Sequence, residues 1–433
     1  MNDQERTDIL KLIKQEVVPA TGCTEPGAVA LAVAKTCETL GCEPQKIVLR
    51  LSKNVFKNAM GVGIPGTGMI GLPIAVAMAV TAGRSERKLE VLTITPQEVN
   101  VAKEWLANHG KCIQIGVEDN CDKLYIECIC EADGHSAKVV IDKRHTNFVF
   151  ISKDKNVILD QKAGVDTEAD NNKSNNTLRL SVRRVYEFAT TAPLEELQFI
   201  NETVKLNGAA ADIGSKGMGL HTGRILLEQA HYDVVHRVVG RTVAASDARM
   251  DGCTEPIYSN SGSGNQGICC TLPVYEYGKA NGNTDEEITR ALIMSHLMSI
   301  YVKQGIGRLS ALCGLVNASM GVSAALVYLQ GGGISQIGYA LKNMINTLAG
   351  MVCDGAKPSC ALKMATGIYS AFVSSHLAMQ NKVVDETDGL SEQDVDRSVG
   401  NLGRLGHDGM DQTDNIILDI MTHKECNCHE EVD

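Results

Sequence analysis

Cysteine is the residue type that offers chemistry in this chain. Three late thiols, Cys313, Cys353 and Cys360, follow a Cys-x39-Cys-x6-Cys spacing, with glycine close to each of the first two and Pro358-Ser359 ahead of the third. Structural zinc sites and electron-transfer clusters are usually filled by four protein ligands, so three thiolates leave one position open. Such a set suits an iron-sulfur cluster with one iron facing a substrate. Spacing alone leaves an alternative open: free cysteine packs as a small hydrophobe, and these three could simply be buried.

A second constellation is the pentapeptide Gly-Cys-Thr-Glu-Pro, which occurs once after Thr21 and again after Asp251. Its chance recurrence in one chain is improbable. Cys23 stands just ahead of a small-residue helix predicted from Gly27 to Leu40, where amide donors and the helix dipole would depress a thiol pKa. Glu25 and Glu255 read as caps or as orienters of the cysteine turns, capping being the simpler role. Cys253 reads as a second acid, a substrate contact or a structural echo. The second copy runs into Ser259-Asn-Ser-Gly-Ser-Gly-Asn-Gln-Gly267, whose N–H groups could form an anion nest. Ser261, Ser263, Asn265 and Gln266 are therefore candidates for a substrate's carboxylate or amino group, although a mobile surface turn has the same composition. Thiols beside an anion cradle make a small amino acid a sensible ligand.

Elements must position these residues. Apolar positions at Ile9, Leu10, Leu12, Ile13, Val17 and Val18 predict an amphipathic helix over 4 to 18 that Pro19 breaks. A strand is expected over Lys46 to Ser52. The glycine-rich loop Gly61 to Gly68 then leads into an Ala/Val/Met helix, and it matches neither the dinucleotide nor the P-loop pattern in full. Asn54, Lys57 and Asn58 beside it could bind an anion but read more simply as a solvated turn. After a helix over Gln97 to His109, short strands are expected at 112–117, 124–132, 137–142 and 147–152. Cys128-x-Cys130 would point to one sheet face, and without a partner pair it makes a weak zinc site.

Residues 163–177 are polar except for Val165 and two alanines and read as a linker. Beyond them the chain reads as helices, at 181–190, 193–206, 218–231, 233–248, 285–304, 314–329, 334–350, 360–379 and 391–402. Cys313, Cys353 and Cys360 fall at helix ends, with Ser359 as an expected N-cap. The fold class is α+β: a mixed α/β region with a small antiparallel sheet over 1–165, then a mainly helical, cluster-bearing domain over 178–433.

Composition narrows the functions. Of 433 residues 44% are apolar but only 4% aromatic, which suits close-packed helices built from small aliphatic side chains. A formal charge of −11 argues against a nucleic-acid surface. The charged N-terminus lacks a secretory h-region, and no stretch approaches the roughly 18 apolar residues of a membrane span. A cytoplasmic protein is expected, without nucleic-acid or membrane partners, with homo-oligomerisation left open. Fifteen cysteines, an odd number in a reducing compartment, are not a disulfide framework.

Taken together, Thr-Gly-Cys-Thr-Glu-Pro, Asp-Gly-Cys-Thr-Glu-Pro, Ser-Gly-Ser-Gly-Asn-Gln-Gly and the set Cys313, Cys353 and Cys360 resemble the iron-sulfur L-cysteine desulfidases over nearly the whole chain. That family is related to the bacterial iron-sulfur L-serine dehydratases, and many of its members go by an uncharacterised-family label. The resemblance implies a 4Fe-4S cluster on Cys313, Cys353 and Cys360 and a catalytic acid/base at Cys23. It also implies an oxygen-sensitive lyase of cysteine catabolism that breaks L-cysteine into hydrogen sulfide, pyruvate and ammonia. The spacing of the cluster cysteines is closer to the desulfidases than to the serine dehydratases. An L-serine dehydratase and a non-catalytic, metal-bearing cysteine sensor are the alternatives. A pyridoxal enzyme would need a Schiff-base lysine and a phosphate cup, neither of which is evident. Arg308 could offer a carboxylate fork, though an arginine at a helix boundary is more often solvated. The tail Cys426-Asn-Cys428-His429 could reach an open iron, as tail cysteines do in the related serine dehydratases, against the usual disorder of tails.

Overall fold

The computed structural model describes residues 1–161, 178–231, 233–307 and 310–423. The expected linker 163–177, Arg308 and the tail cysteines Cys426 and Cys428 lie outside the described residues.

The N-terminal part is built on a six-stranded sheet. From one edge its order is Ile113–Glu118, Lys46–Ser52, Tyr125–Ala132, His135–Asp142, Phe148–Lys153 and Asn156–Asp160. The first pair is parallel and the others antiparallel. Alternation explains its buried face: Ile47, Leu49 and Leu51 are buried while Arg50 between them is exposed. The helix Thr24–Leu40 covers that face, lying on Tyr125–Ala132 and His135–Asp142. Its Ala/Val run is buried almost throughout, and Gly41 ends it at φ +84°. Cys128 and Cys130 point together into this core, their sulfurs 3.9 Å apart, as packing residues.

The C-terminal part is helical. Gly314–Leu329 is buried on nearly every side and forms the central helix, surrounded by Gly264–Ala280, Asp285–Ile306, Ile334–Leu348 and Cys360–Met379. Gly321 lets two of these helices touch, since a Cβ there would stand 2.2 Å from the Ser295 carbonyl oxygen. The two parts are also tied by a short antiparallel pairing of Pro19–Ala20 with Ile257–Tyr258. Residues just before the first Gly-Cys-Thr-Glu-Pro thus pair with those just after the second.

The α+β class and most expected elements are present; the differences are instructive. Cys23 is itself the N-cap of a helix that starts at Thr24 rather than Gly27. Residues 264–267 are not loop: the helix Gly264–Ala280 begins there, capped by the Ser263 side chain, despite its glycines and Pro273. Ser359 occupies the N-cap position of Cys360–Met379 without a side-chain capping bond. Asn54, Lys57 and Asn58 are not a solvated turn but part of the helix Lys53–Ala59, with Lys57 buried and paired to Asp414 of the helix Asp411–Thr422.

Candidate functional site

The first motif puts its thiol and carboxylate together. Cys23 Sγ donates to Glu25 Oε2 at 3.3 Å. Glu25 also accepts from Thr24 Oγ1 at 3.0 Å and from Asn58 Nδ2 at 3.3 Å, and His145 Nε2 stands 4.0 Å from its Oε1. Glu25 therefore orients the thiol. Burial pushes the Cys23 thiol up to about 12, and the Glu25 charge adds to it, while Arg249 pulls the other way. The expectation of a depressed thiol is overturned, because burial outweighs the helix start. Burial also presses on Glu25, but the His145 charge and the bond from Cys23 outweigh it and hold the carboxyl below its ordinary value.

The late cysteines are arranged by backbone bonds. Leu312 and Val352 form an antiparallel bridge, with the Cys313 N–H donating to Met351 O at 2.9 Å and the Cys353 N–H to Ala311 O at 2.6 Å. This holds Cys313, the N-cap of the central helix, beside Cys353. Cys360 opens the next helix, its Sγ 3.7 Å from Gly355 O. Burial and then the Cys353 charge push the Cys313 thiol up to about 12, against a lowering by Lys363. Lys363 and Lys357 both pair with Asp354 next to Cys353.

The second motif leads into a tight turn. Ser261 and Gly262 have φ of +49° and +80°, and Ser263 caps the helix that carries Asn265 and Gln266. Gln266 Oε1 accepts from Asn317 Nδ2 at 2.7 Å. Its amide lies against Gly314, where a Cβ would stand 2.4 Å from Nε2, so glycine after Cys313 makes room for it.

Eight of the residues singled out from the sequence border one cavity of about 410 Å³: Cys23, the set Ser261, Ser263, Asn265 and Gln266, and the three late cysteines. Glu25 and Asn58, weighed from the sequence as an orienter and an anion contact, line it too, as do His145, Arg249 and Lys303, which were not foreseen in that role. The one local signal was for Arg249, which closely precedes the second motif. Cys253 does not line this cavity, and Glu255 is exposed. Thr254 instead borders a neighbouring cavity of about 290 Å³ that meets the first at Cys23.

Among the described residues no three His, Cys, Asp or Glu side chains converge closely enough to hold a single metal ion. A 4Fe-4S cluster asks for something else, since each cysteine binds its own iron and the thiolates stand around the cluster. Three thiols facing one cavity, with two lysines close to them, fit that donor chemistry. Cys313, Cys353 and Cys360 are the residues that could hold it.

Comparison with known proteins gives the family. The chain belongs to the serine dehydratase alpha chain family, whose model matches residues 86–419. It is 49% identical to a UPF0597 protein of Bacteroides fragilis over 98% of this chain and 100% of the relative. A UPF0597 protein of Phocaeicola vulgatus is 50% identical over 98% of this chain and 99% of the relative. That of Porphyromonas gingivalis is 45% identical over 98% and 100%. The membership agrees with the resemblance read from the motifs. The family match includes the late cysteines and the second motif, whereas Cys23 lies in the stretch before it. Among the described residues no helix is long and apolar enough to cross a membrane.

Proposed function

We propose that the protein is a 4Fe-4S-dependent, pyridoxal-independent L-cysteine desulfidase that eliminates sulfide from L-cysteine to leave pyruvate and ammonia. The observation that carries this reading is the shared cavity, in which the Cys23–Glu25 pair faces the same space as Cys313, Cys353 and Cys360. A bound cluster on those three cysteines would supply a thiophilic Lewis acid for the departing sulfur.

The chain's own residues do the rest. Ser261, Ser263, Asn265 and Gln266 receive the carboxylate and amino groups of the substrate at the start of a 17-residue helix, whose first amides lack intrahelical acceptors. At rest the dyad holds its proton on sulfur, directed at Glu25. Release of that proton to solvent leaves a thiolate at Cys23, still oriented beside Glu25, which takes the Cα proton as the C–S bond breaks. The aminoacrylate that leaves tautomerises to an imine, and water hydrolyses it to pyruvate and ammonia.

Membership of the serine dehydratase alpha chain family favours one second reading, elimination of water from L-serine by the same residues. Anaerobically purified, iron-loaded protein separates the two: L-cysteine should release sulfide and pyruvate in equal amounts and faster than L-serine yields pyruvate. Preference for serine would replace the first reading by the second, and bound metal without turnover of either would remove both.

A further inference from the structure

Arg249 carries a charge that the reaction described above does not use. It ends the helix Val234–Met250 and is only 7% exposed. Its Nη1 donates to Asn265 Oδ1 at 3.2 Å and its Nη2 to Gly22 O at 3.1 Å, so it bridges the loops of the two motifs through neutral acceptors. Nε is buried without a partner. It lies against Gly264, where a Cβ would stand 2.2 Å away. Among the described residues no carboxylate comes within ion-pair distance of this guanidinium. A buried cation without a counter-ion is strongly unfavourable, so the site is incomplete as it stands.

The nearest acidic groups do not fill that place. Cys23 is held as a neutral thiol, and the Glu25 carboxylate is engaged by Cys23 and Thr24 at Oε2 and by Asn58 and His145 at Oε1. The surroundings ask for an anion from outside. The helix Gly264–Ala280 starts against the guanidinium, adding its free amides and positive dipole end, and both groups border the cavity beside the cysteines.

We propose that Arg249 is the counter-ion of the substrate's α-carboxylate, which restricts the cavity to small carboxylates bearing a thiol or hydroxyl on the β-carbon. This rests on the reading of the cavity as an amino-acid site. Charge-assisted bonds from a desolvated guanidinium are the strong kind, and they distinguish a carboxylate from an uncharged end.

Two thiol probes test it on the iron-loaded protein under anaerobic conditions, with binding read by thermal shift. 3-Mercaptopropionate keeps the carboxylate and lacks the amine, whereas cysteamine keeps the amine and lacks the carboxylate. Arg249→Gln should weaken 3-mercaptopropionate on the order of 30-fold and cysteamine by less than about threefold. Equal weakening of both, or of neither, overturns the proposal. Should Arg249→Gln fail to fold, Arg249→Lys keeps the charge and loses the fork; a fall of several-fold in the ratio of the two affinities is expected, and an unchanged ratio overturns the proposal. Binding is read independently of turnover. Arg249-dependent carboxylate binding without sulfide release would defeat the desulfidase reading alone, and sulfide release with an unchanged probe ratio would defeat this inference alone.

Discussion

Cys23 Sγ and Glu25 Oε2 lie 3.3 Å apart at the wall of the cavity, joined by a hydrogen bond in which the thiol is the donor. The pair is made within the first turn of one helix, with Thr24 on the same carboxylate oxygen as the thiol and Asn58 on the other. A thiol so held is oriented by its hydrogen-bond acceptor, and its behaviour depends on Glu25 as much as on the sulfur.

Glu25→Gln separates the two contributions. Burial does most to raise the Cys23 pKa to about 12, and the Glu25 charge and hydrogen bond add to it, so a neutral amide should let Cys23 ionise at lower pH. The rate of alkylation at Cys23, followed by mass spectrometry against pH, should move to lower pH in the variant. Turnover should nevertheless fall on the order of a hundredfold, because the neutral amide loses the charge-assisted bonds that hold the thiol in place. A variant with a lower thiol pKa and undiminished turnover would show that the carboxylate is dispensable.

The cysteines should divide by role. Cys23→Ser is expected to retain full iron and acid-labile sulfide content and to lose activity, since a hydroxyl is a far poorer acid at neutral pH. Cys313→Ala, Cys353→Ala and Cys360→Ala should each lose the visible absorbance of the cluster. A colourless Cys23→Ser protein would move Cys23 from proton transfer to metal binding.

The thiols of this site were legible because reactive residues in a recurring motif stand out against any background. His145 and Lys303 were not, since a single histidine or lysine has no local signature and only the packing of distant segments brings it to the cavity. The Ser259 to Gly267 stretch misled for another reason: serine, glycine and asparagine suit turns, yet burial of the following Ile268, Cys269 and Cys270 makes the helix from Gly264 onward. The thiol pKa of Cys23 was misjudged in sign because the helix start is visible in sequence and the burial that overrides it is not. Most strands and helices were readable, since the alternation around Leu49 and the uninterrupted apolar run of Gly314–Leu329 leave few other options.

Stability should fall in mild acid through His296. It is wholly buried; Nδ1 accepts from Asn260 Nδ2 at 3.1 Å, which leaves Nε2 to donate to Thr271 Oγ1 at 3.0 Å. Burial lowers its pKa from 6.5 to about 3. The unfolded chain therefore binds a proton at His296 before the folded one does, so the stabilisation is complete above pH 6.5 and declines as pH falls towards 3. Between pH 6.5 and 5 the loss from this residue should be roughly 2 kcal/mol, at about 1.4 kcal/mol per pH unit. Urea unfolding at the two pH values measures it, and His296→Gln, though weaker at neutral pH, should lack that component. Because Asn260 starts the turn that carries Ser261 and Ser263, the same acidification should weaken substrate binding before global unfolding.

The buried pair Lys57–Asp414 ties the C-terminal helix to the loop between Cys353 and Cys360. Lys57 is 2% and Asp414 6% exposed, and the Lys57 carbonyl abuts Gly355, which sits at φ +94° where a Cβ would meet that oxygen at 2.3 Å. Removing one partner strands the other charge, so Asp414→Asn should cost about 3–5 kcal/mol, and the double change Lys57→Met with Asp414→Leu should recover most of that. The backbone contact makes a second, more specific demand. If Lys57 shifts when its partner is lost, Gly355 loses its support, and Cys353 and Cys360 on either side of it hold their ligand less firmly. Iron should then pass to a chelator faster in Asp414→Asn than in the wild type at a temperature where both remain folded, and slowly again in the double variant. Equal iron retention in all three proteins, with the stability loss as expected, would confine the ion pair to holding the helix and leave the cysteine loop supported by its own backbone bonds.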